Sequence, residues 1–145
     1  LDARLQVAPG TEVRLEAAAT RRESDNDAPV RTGAAYSAEV EHRGVRLDAL
    51  AYVREQQDDF GLGQQFSAEA GSRKFGGDVR YDLTPNLTAL ATAYHERYTI
   101  SDGSREAVEA SLEHRSDDLT LRIGGRHVAD EALGQTYRSD QIVLG

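Results

Sequence analysis

The stretch Ala38-Glu39-Val40-Glu41-His42-Arg43-Gly44-Val45-Arg46-Leu47-Asp48-Ala49-Leu50-Ala51-Tyr52-Val53-Arg54 decides the fold. Val45, Leu47, Ala49, Ala51 and Val53 fall on one face, while Arg46, Asp48 and Arg54 mark the other. A period of two predicts a strand whose faces meet different surroundings. A two-residue turn at Arg43-Gly44 places His42 opposite Val45, Val40 opposite Leu47, Ala38 opposite Ala49 and Tyr36 opposite Ala51. Glu41 then meets Arg46 across the strands. Apolar residues find apolar partners and one ion pair forms, as a stable register requires.

The same unit recurs on both sides. Leu1, Ala3, Leu5 and Val7 alternate with polar residues up to Pro9-Gly10, and Val13, Leu15, Ala17 and Ala19 return. A three-residue turn core there pairs Leu5 with Leu15, Ala3 with Ala17 and Arg4 with Glu16. Further on, Gly77, Val79, Tyr81 and Leu83 lead into Thr84-Pro85-Asn86, good turn chemistry, before Leu87, Ala89, Ala91 and Ala93. The expected pairs are Leu83 with Leu87, Tyr81 with Ala89 and Val79 with Ala91. The last full hairpin sets Ala110 against Ile123 and Leu112 against Leu121, with Arg122 opposite Ser111 and diagonal to Glu109 and Glu113. Tyr137 to Leu144 reads as a ninth strand. Ala38-Glu39-Val40-Glu41-His42-Arg43 recurs as Ala110-Ser111-Leu112-Glu113-His114-Arg115, each copy ending at a short turn.

Longer connections are expected over residues 21–32, 55–75, 99–105 and 129–135. Within 55–75, Phe66, Ala68 and Ala70 alternate with polar residues, so that excursion reads either as loop or as loop with a strand extension. Short turns at one end and longer loops at the other predict an all-β, antiparallel up-and-down meander in a single domain, residues 1–145.

Composition narrows the function. The chain has 145 residues, a formal net charge of −8 and no cysteine. It therefore lacks a disulfide framework and a thiolate metal site, and the acidic balance argues against a nucleic-acid partner. Lys74 is its one lysine; the other basic residues are arginines, which suit forked carboxylate contacts. No run of about 18 apolar residues offers a membrane helix. The chain opens on Leu1 without a signal peptide and is expected to be a mature chain or a fragment.

Two environments are compatible with the alternation. In one, the aliphatic face meets lipid and the charged face lines a barrel interior. In the other, the aliphatic face is the core of a soluble barrel or sandwich. Three features favour lipid. The aliphatic face is rich in alanine, which fills a protein core poorly. The strands have the length that crosses a bilayer when tilted. The loops are long at one end only. Tyr36, Tyr52, Tyr94, Tyr98 and Tyr137 lie toward the long-loop ends, like one aromatic girdle, although Tyr52, Tyr94 and Tyr98 fall on the charged side.

The Val79-Arg80-Tyr81-Asp82-Leu83-Thr84-Pro85-Asn86-Leu87-Thr88-Ala89 hairpin, with Arg, Glu and Asp opposite an aliphatic face, resembles those of Gram-negative outer-membrane β-barrel proteins. The resemblance covers most of the chain and concerns architecture. It implies an outer-membrane location, antiparallel closure and a polar lumen. Two departures stand against it: nine strands where bacterial single-chain barrels have an even number, and an end at Leu144-Gly145 without the family's terminal aromatic. Both point to part of a larger barrel, or to a strand hidden within 55–75.

Chemistry-bearing motifs are sparse. His42 and His114 sit beside short turns, as structural residues do; His95 and His127 complete the histidines. No Gly-x-Ser-x-Gly elbow is present. Asp25-Asn26-Asp27 lacks the glycine and distal glutamate of a calcium loop, and Gly61-Leu62-Gly63 does not extend to a dinucleotide fingerprint. Arg4, Glu16, Glu41, Arg46, Glu109, Glu113 and Arg122 are the candidate lumen charges. They line a conduit or neutralise one another in a filled interior, and the second is favoured because side chains fill small barrels. The expected role is a non-catalytic anchor, display scaffold or passive pore in the bacterial outer membrane. No cofactor is expected; the expected partners are the bilayer and the rest of a larger barrel or other envelope proteins. The rival is a secreted or periplasmic β-domain that binds a partner through acidic loops.

Overall fold

The computed structural model describes residues 1–22, 30–61, 71–100 and 102–145. Nine strands run in chain order: β1 (Asp2–Ala8), β2 (Thr11–Arg22), β3 (Arg31–Arg43), β4 (Leu47–Gln56), β5 (Ser72–Thr84), β6 (Leu87–Tyr98), β7 (Gly103–Arg115), β8 (Thr120–Ala132) and β9 (Gln135–Leu144). They form one antiparallel sheet in the order β1 to β9, each strand pairing only with its chain neighbours. The sheet is an up-and-down meander and is not closed: β1 and β9 are its free edges.

Alternation assigns the faces correctly, but the register differs at three of the four predicted hairpins. Across β3–β4, Val40 opposes Ala51, Ala38 opposes Val53 and Glu41 opposes Leu50, a slip of four residues from the expected pairing. The turn is longer than two residues. Gly44 N donates to Leu47 O at 2.8 Å, and Val45, expected on the strand face, projects from the turn. Across β1–β2, Ala3 opposes Leu15 and Leu5 opposes Val13, because a bulge near Ala8 tightens the turn to Pro9-Gly10, with Gly10 at φ +71°. Across β7–β8, Leu112 opposes Ile123 and Glu113 opposes Arg122. The β5–β6 register holds for Tyr81 with Ala89 and Val79 with Ala91, while a bulge after Asp82 gives Leu87 to Thr84 instead of Leu83. The slips of the three hairpins are each by an even number of residues, so their side chains keep their faces.

Two expected loops are shorter. β7 begins at Gly103, and β8 runs on through Ala132 to a two-residue turn at Leu133-Gly134. Both turn residues have positive φ, 54° and 73°, the mirror-image turn whose twist suits a hairpin. The long-loop asymmetry therefore rests on the β2–β3 and β4–β5 connections alone. In the latter, Glu55, Gln56 and residues 72–75 belong to β4 and β5. Phe66, Ala68 and Ala70 lie outside the described residues, as do Asp25-Asn26-Asp27 and the Leu62-Gly63 half of the glycine pair.

The short-turn end is laced together. Arg43 N donates to Gly10 O at 2.7 Å, Asp82 N to Arg46 O at 2.8 Å and Arg115 N to Asn86 O at 2.9 Å. Each bond extends a ladder past the last strand residue and satisfies a turn carbonyl.

Candidate membrane-facing belt and charged face

A single layer can cover a side chain only with neighbours on its own face. Among the described residues, the buried side chains are Ala107, Val128, Ser72, Thr88 and Ser111, and all lie on the charged face. Such coverage follows when a sheet curls toward that face and its long Arg, Glu and Tyr side chains crowd together. Among the described residues no second layer covers the aliphatic face: Leu5 is 55% exposed, Ile123 61% and Ile142 80%. Among the described residues no packed core of the kind the rival expectation requires forms on that side.

The aliphatic face is a belt with two polar borders. On the long-loop side the first polar residues facing outward are Arg21, Thr32, Glu55, Arg73, His95, Glu106, His127 and Asp140, one on each of β2 to β9. Four couples are register partners: Arg21 with Thr32, Glu55 with Arg73, His95 with Glu106 and His127 with Asp140. Between couples the border steps down: Glu55 opposes Tyr36 rather than Thr32, Arg73 opposes Arg97 rather than His95, and Glu106 opposes Ala129 rather than His127. The fall is a little over one residue per strand. At about 3.3 Å per residue and about 4.8 Å between strands, a level border requires strands tilted by about 40°. The other border agrees. Thr11 and His42 are register partners joined at 2.8 Å, and His114, four strands on, lies four residues below the row of His42. Between the borders β2, β4 and β6 each present four small or aliphatic residues, as in Leu87, Ala89, Ala91 and Ala93, and β7 presents three. At that tilt the belt is about 20 Å high, against about 25 Å for transmembrane barrels.

The borders hold their own hydrogen-bonded pairs: His95 Nδ1 lies 2.9 Å from Glu106 Oε1, and His127 Nδ1 lies 2.6 Å from Asp140 Oδ1. The tyrosines do not form one outward girdle. Tyr36 and Tyr81 face out, whereas Tyr52, Tyr94, Tyr98 and Tyr137 share the charged face.

On the charged face the predicted residues separate. Arg4 opposes Arg14 and pairs with Glu12 at 2.6 Å, not with Glu16. Glu16 accepts a long contact from Ser37 Oγ, 3.5 Å. Glu41 is held by Arg14 at 2.8 Å and by Arg43 at 2.6 Å. Arg122 reaches Glu109 at 2.9 Å and Ser111 at 3.0 Å, while Glu113 pairs with Arg115 at 3.1 Å. Arg46 does not meet Glu41. It lies in the turn before β4, donates to the carbonyls of Asp82 and Leu83 at 2.9 and 2.7 Å, and sits 5.4 Å from the Tyr81 ring centre.

Sequence reasoning missed the hub. Arg14 contacts Glu12, Glu39 and Glu41, and Glu39 continues to Arg54 at 2.7 Å. The correct β2–β3 register, which sets Arg14 opposite Glu39, is the signal that finds it. Lys74, 3.8 Å from Glu96, also lies 4.5 Å from the Tyr94 ring centre. These contacts neutralise charge and fix side chains. Among the described residues no group of three His, Cys, Asp or Glu side chains is placed to hold a metal ion. No family model, curated protein or solved structure matches the chain.

Proposed function

We propose that the chain forms an arc of a bacterial outer-membrane β-barrel and serves as a non-catalytic anchor, display scaffold or passive pore. One observation carries the reading. Among the described residues the only buried apolar side chains are Ala107 and Val128, both on the charged face, while the large aliphatic side chains stand uncovered on the other. In water such a sheet forgoes the main driving force for folding. Lipid supplies the missing layer, and the tilted belt has the shape that lipid requires.

Strand parity supports a larger barrel. In an up-and-down meander of nine strands β1 and β9 run in the same direction, so joining them directly would make a parallel pair. Antiparallel closure takes an odd number of further strands. A second copy inserted in the same sense does not supply them: its edge strands run in the same direction as β1 and β9, so both seams would be parallel, and the rotation that would make them antiparallel inverts it across the membrane. Unpaired edges are not tolerated in hydrocarbon, so these strands are the closest partner the reading demands.

Fractionation tests the proposal. The chain is expected in membranes and to need detergent or lipid to stay monodisperse. A monomeric, detergent-free protein with a cooperative melt would overturn the reading and leave the soluble, partner-binding domain in its place.

A further inference from the structure

The sheet contains one four-strand unit twice. Asp2, Arg4 and Pro9 recur as Asp78, Arg80 and Pro85. β1 and β5 bulge at the same step, between Gln6 and Ala8 and between Asp82 and Thr84. Thr11 opposes His42 as Leu87 opposes His114, and Val40 opposes Ala51 as Leu112 opposes Ile123. The turns match bond for bond. Arg43 N donates to Gly10 O and Arg115 N to Asn86 O, while Gly44 N donates to Leu47 O and Ser116 N to Leu119 O. Arg43 pairs with Glu41 and Arg115 with Glu113. Registers, bulge and turns thus make β1 to β4 the equivalent of β5 to β8.

β9 opens the unit a third time. Val53 opposes Phe75 as Gly125 opposes Ile142, and Glu55 opposes Arg73 as His127 opposes Asp140. β9 therefore stands to β8 as β5 stands to β4. Both edge strands hold the place of β5, which has a neighbour on each side. The edge left free on β9 is the side of β5 that β6 takes, and the edge left free on β1 is the side that β4 takes. Gly145 and Arg122 exchange backbone hydrogen bonds, so the N–H and C=O groups of Asp140 and Ile142 turn toward the free edge. The side chains there suit a β6-like strand. Asp140 holds the place of Arg73, whose register partner is Arg97, so an opposite pair replaces two like charges. On β1, Arg4 holds the place of Arg80, which opposes Asp48.

We propose that the strands completing the barrel are further copies of this four-strand unit, with a β6-like strand on β9 and a β4-like strand on β1. The inference rests on the membrane reading above and names the partner that reading demands. The nine strands are two units and the first strand of a third. Completing any whole number of four-strand units adds an odd number of strands, as antiparallel closure requires.

The full chain is extended after Gly145 with a second copy of Val79–Ala132, because Gly145 holds the place of Asp78. It is reconstituted in phosphatidylcholine vesicles beside the unextended chain. The backbone amides of Asp140 and Ile142 are expected to exchange fast in the unextended chain and as slowly as those of Arg73 and Phe75 in the extended one. The protein has no cysteine, and Lys74 and Glu96 are register partners. Gln141→Cys, in the place of Lys74, should therefore form a disulfide with Glu96→Cys of the appended copy, whereas Ser139→Cys should not. An extension that starts one residue later, at Arg80, reverses every face and should protect neither amide. Edge amides that stay open overturn the proposal and spare the membrane reading. So do equal protection by the shifted extension, a disulfide formed as readily from Ser139→Cys, and loss of vesicle insertion on extension alone. Edge protection already present in the unextended chain also overturns it, since the edges would then meet each other or a second copy. Failure of both chains to enter vesicles removes the membrane reading itself.

Discussion

Arg122 and Glu113 stand directly opposite each other across β7 and β8, yet Arg122 reaches diagonally to Glu109, 2.9 Å away, and leaves Glu113 to Arg115. The diagonal carries the long arginine side chain past Ser111, which it also contacts at 3.0 Å, to a carboxylate two rows away. It also makes Arg122 the cation between two carboxylates.

Arg122→Glu places three carboxylates together and removes two hydrogen bonds. A loss of about 1–2 kcal/mol is expected, read from denaturant unfolding in detergent or lipid. Arg122→Gln should lose less, since it adds no repulsion. Equal effects of the two changes would mean that the charged face is well screened by water.

Ala49 reports the environment of the other face. It lies mid-belt between His42 and Val79. Ala49→Trp is expected to be neutral or mildly stabilising, with blue-shifted emission quenched by brominated acyl chains. In a packed core the same change costs about 1–3 kcal/mol. Destabilisation without quenching would show that protein, not lipid, covers this face.

Two glycines make a matched pair. A Cβ on Gly76 would stand 2.6 Å from Ala93 O and 2.9 Å from Tyr52 Oη, whereas one on Gly125 would meet nothing nearer than Gln141 O at 3.8 Å. Gly76→Val should therefore destabilise by about 1–3 kcal/mol. Gly125→Val should be neutral or stabilise by up to about 1 kcal/mol, since valine suits a strand and glycine does not. Thermal unfolding of both variants decides; a reversed order would mean that the backbone at Gly76 yields freely.

Arg46 ties two short turns through the carbonyls of Asp82 and Leu83. Arg46→Ala is expected to cost about 1–2 kcal/mol and to speed amide exchange in both turns while leaving β7 to β9 unchanged. Uniform loss of protection across the sheet would refute so local a role.

The alternation made the faces and the strand order legible, because a side chain's face depends only on parity. The register was not legible. The slips at Arg43-Gly44, Pro9-Gly10 and the β7–β8 turn are all even, so they keep each apolar residue on its face and most of them opposite another, and they escape a test based on matching like with like. Bulges at Ala8 and after Asp82 set the remaining offsets, and a bulge has no hydrophobic signature. Arg14 escaped for the same reason: its carboxylate partners lie on a strand whose register the pattern does not fix. Arg46 was misplaced because the turn takes in Gly44 to Arg46.

Because each strand forms ladders only with the strands next to it in the chain, the assembly behaves as a one-dimensional zipper rather than a three-dimensional jigsaw. Every ladder joins consecutive strands, so ordering can start at any tight turn and spread strand by strand. Loss of an outer strand removes one ladder and leaves the others intact, whereas a break at β4 or β5 divides the sheet in two. Cooperativity along the chain is then only as strong as its weakest ladder. The short β1, whose seven residues all remain exposed, marks the end from which unzipping begins.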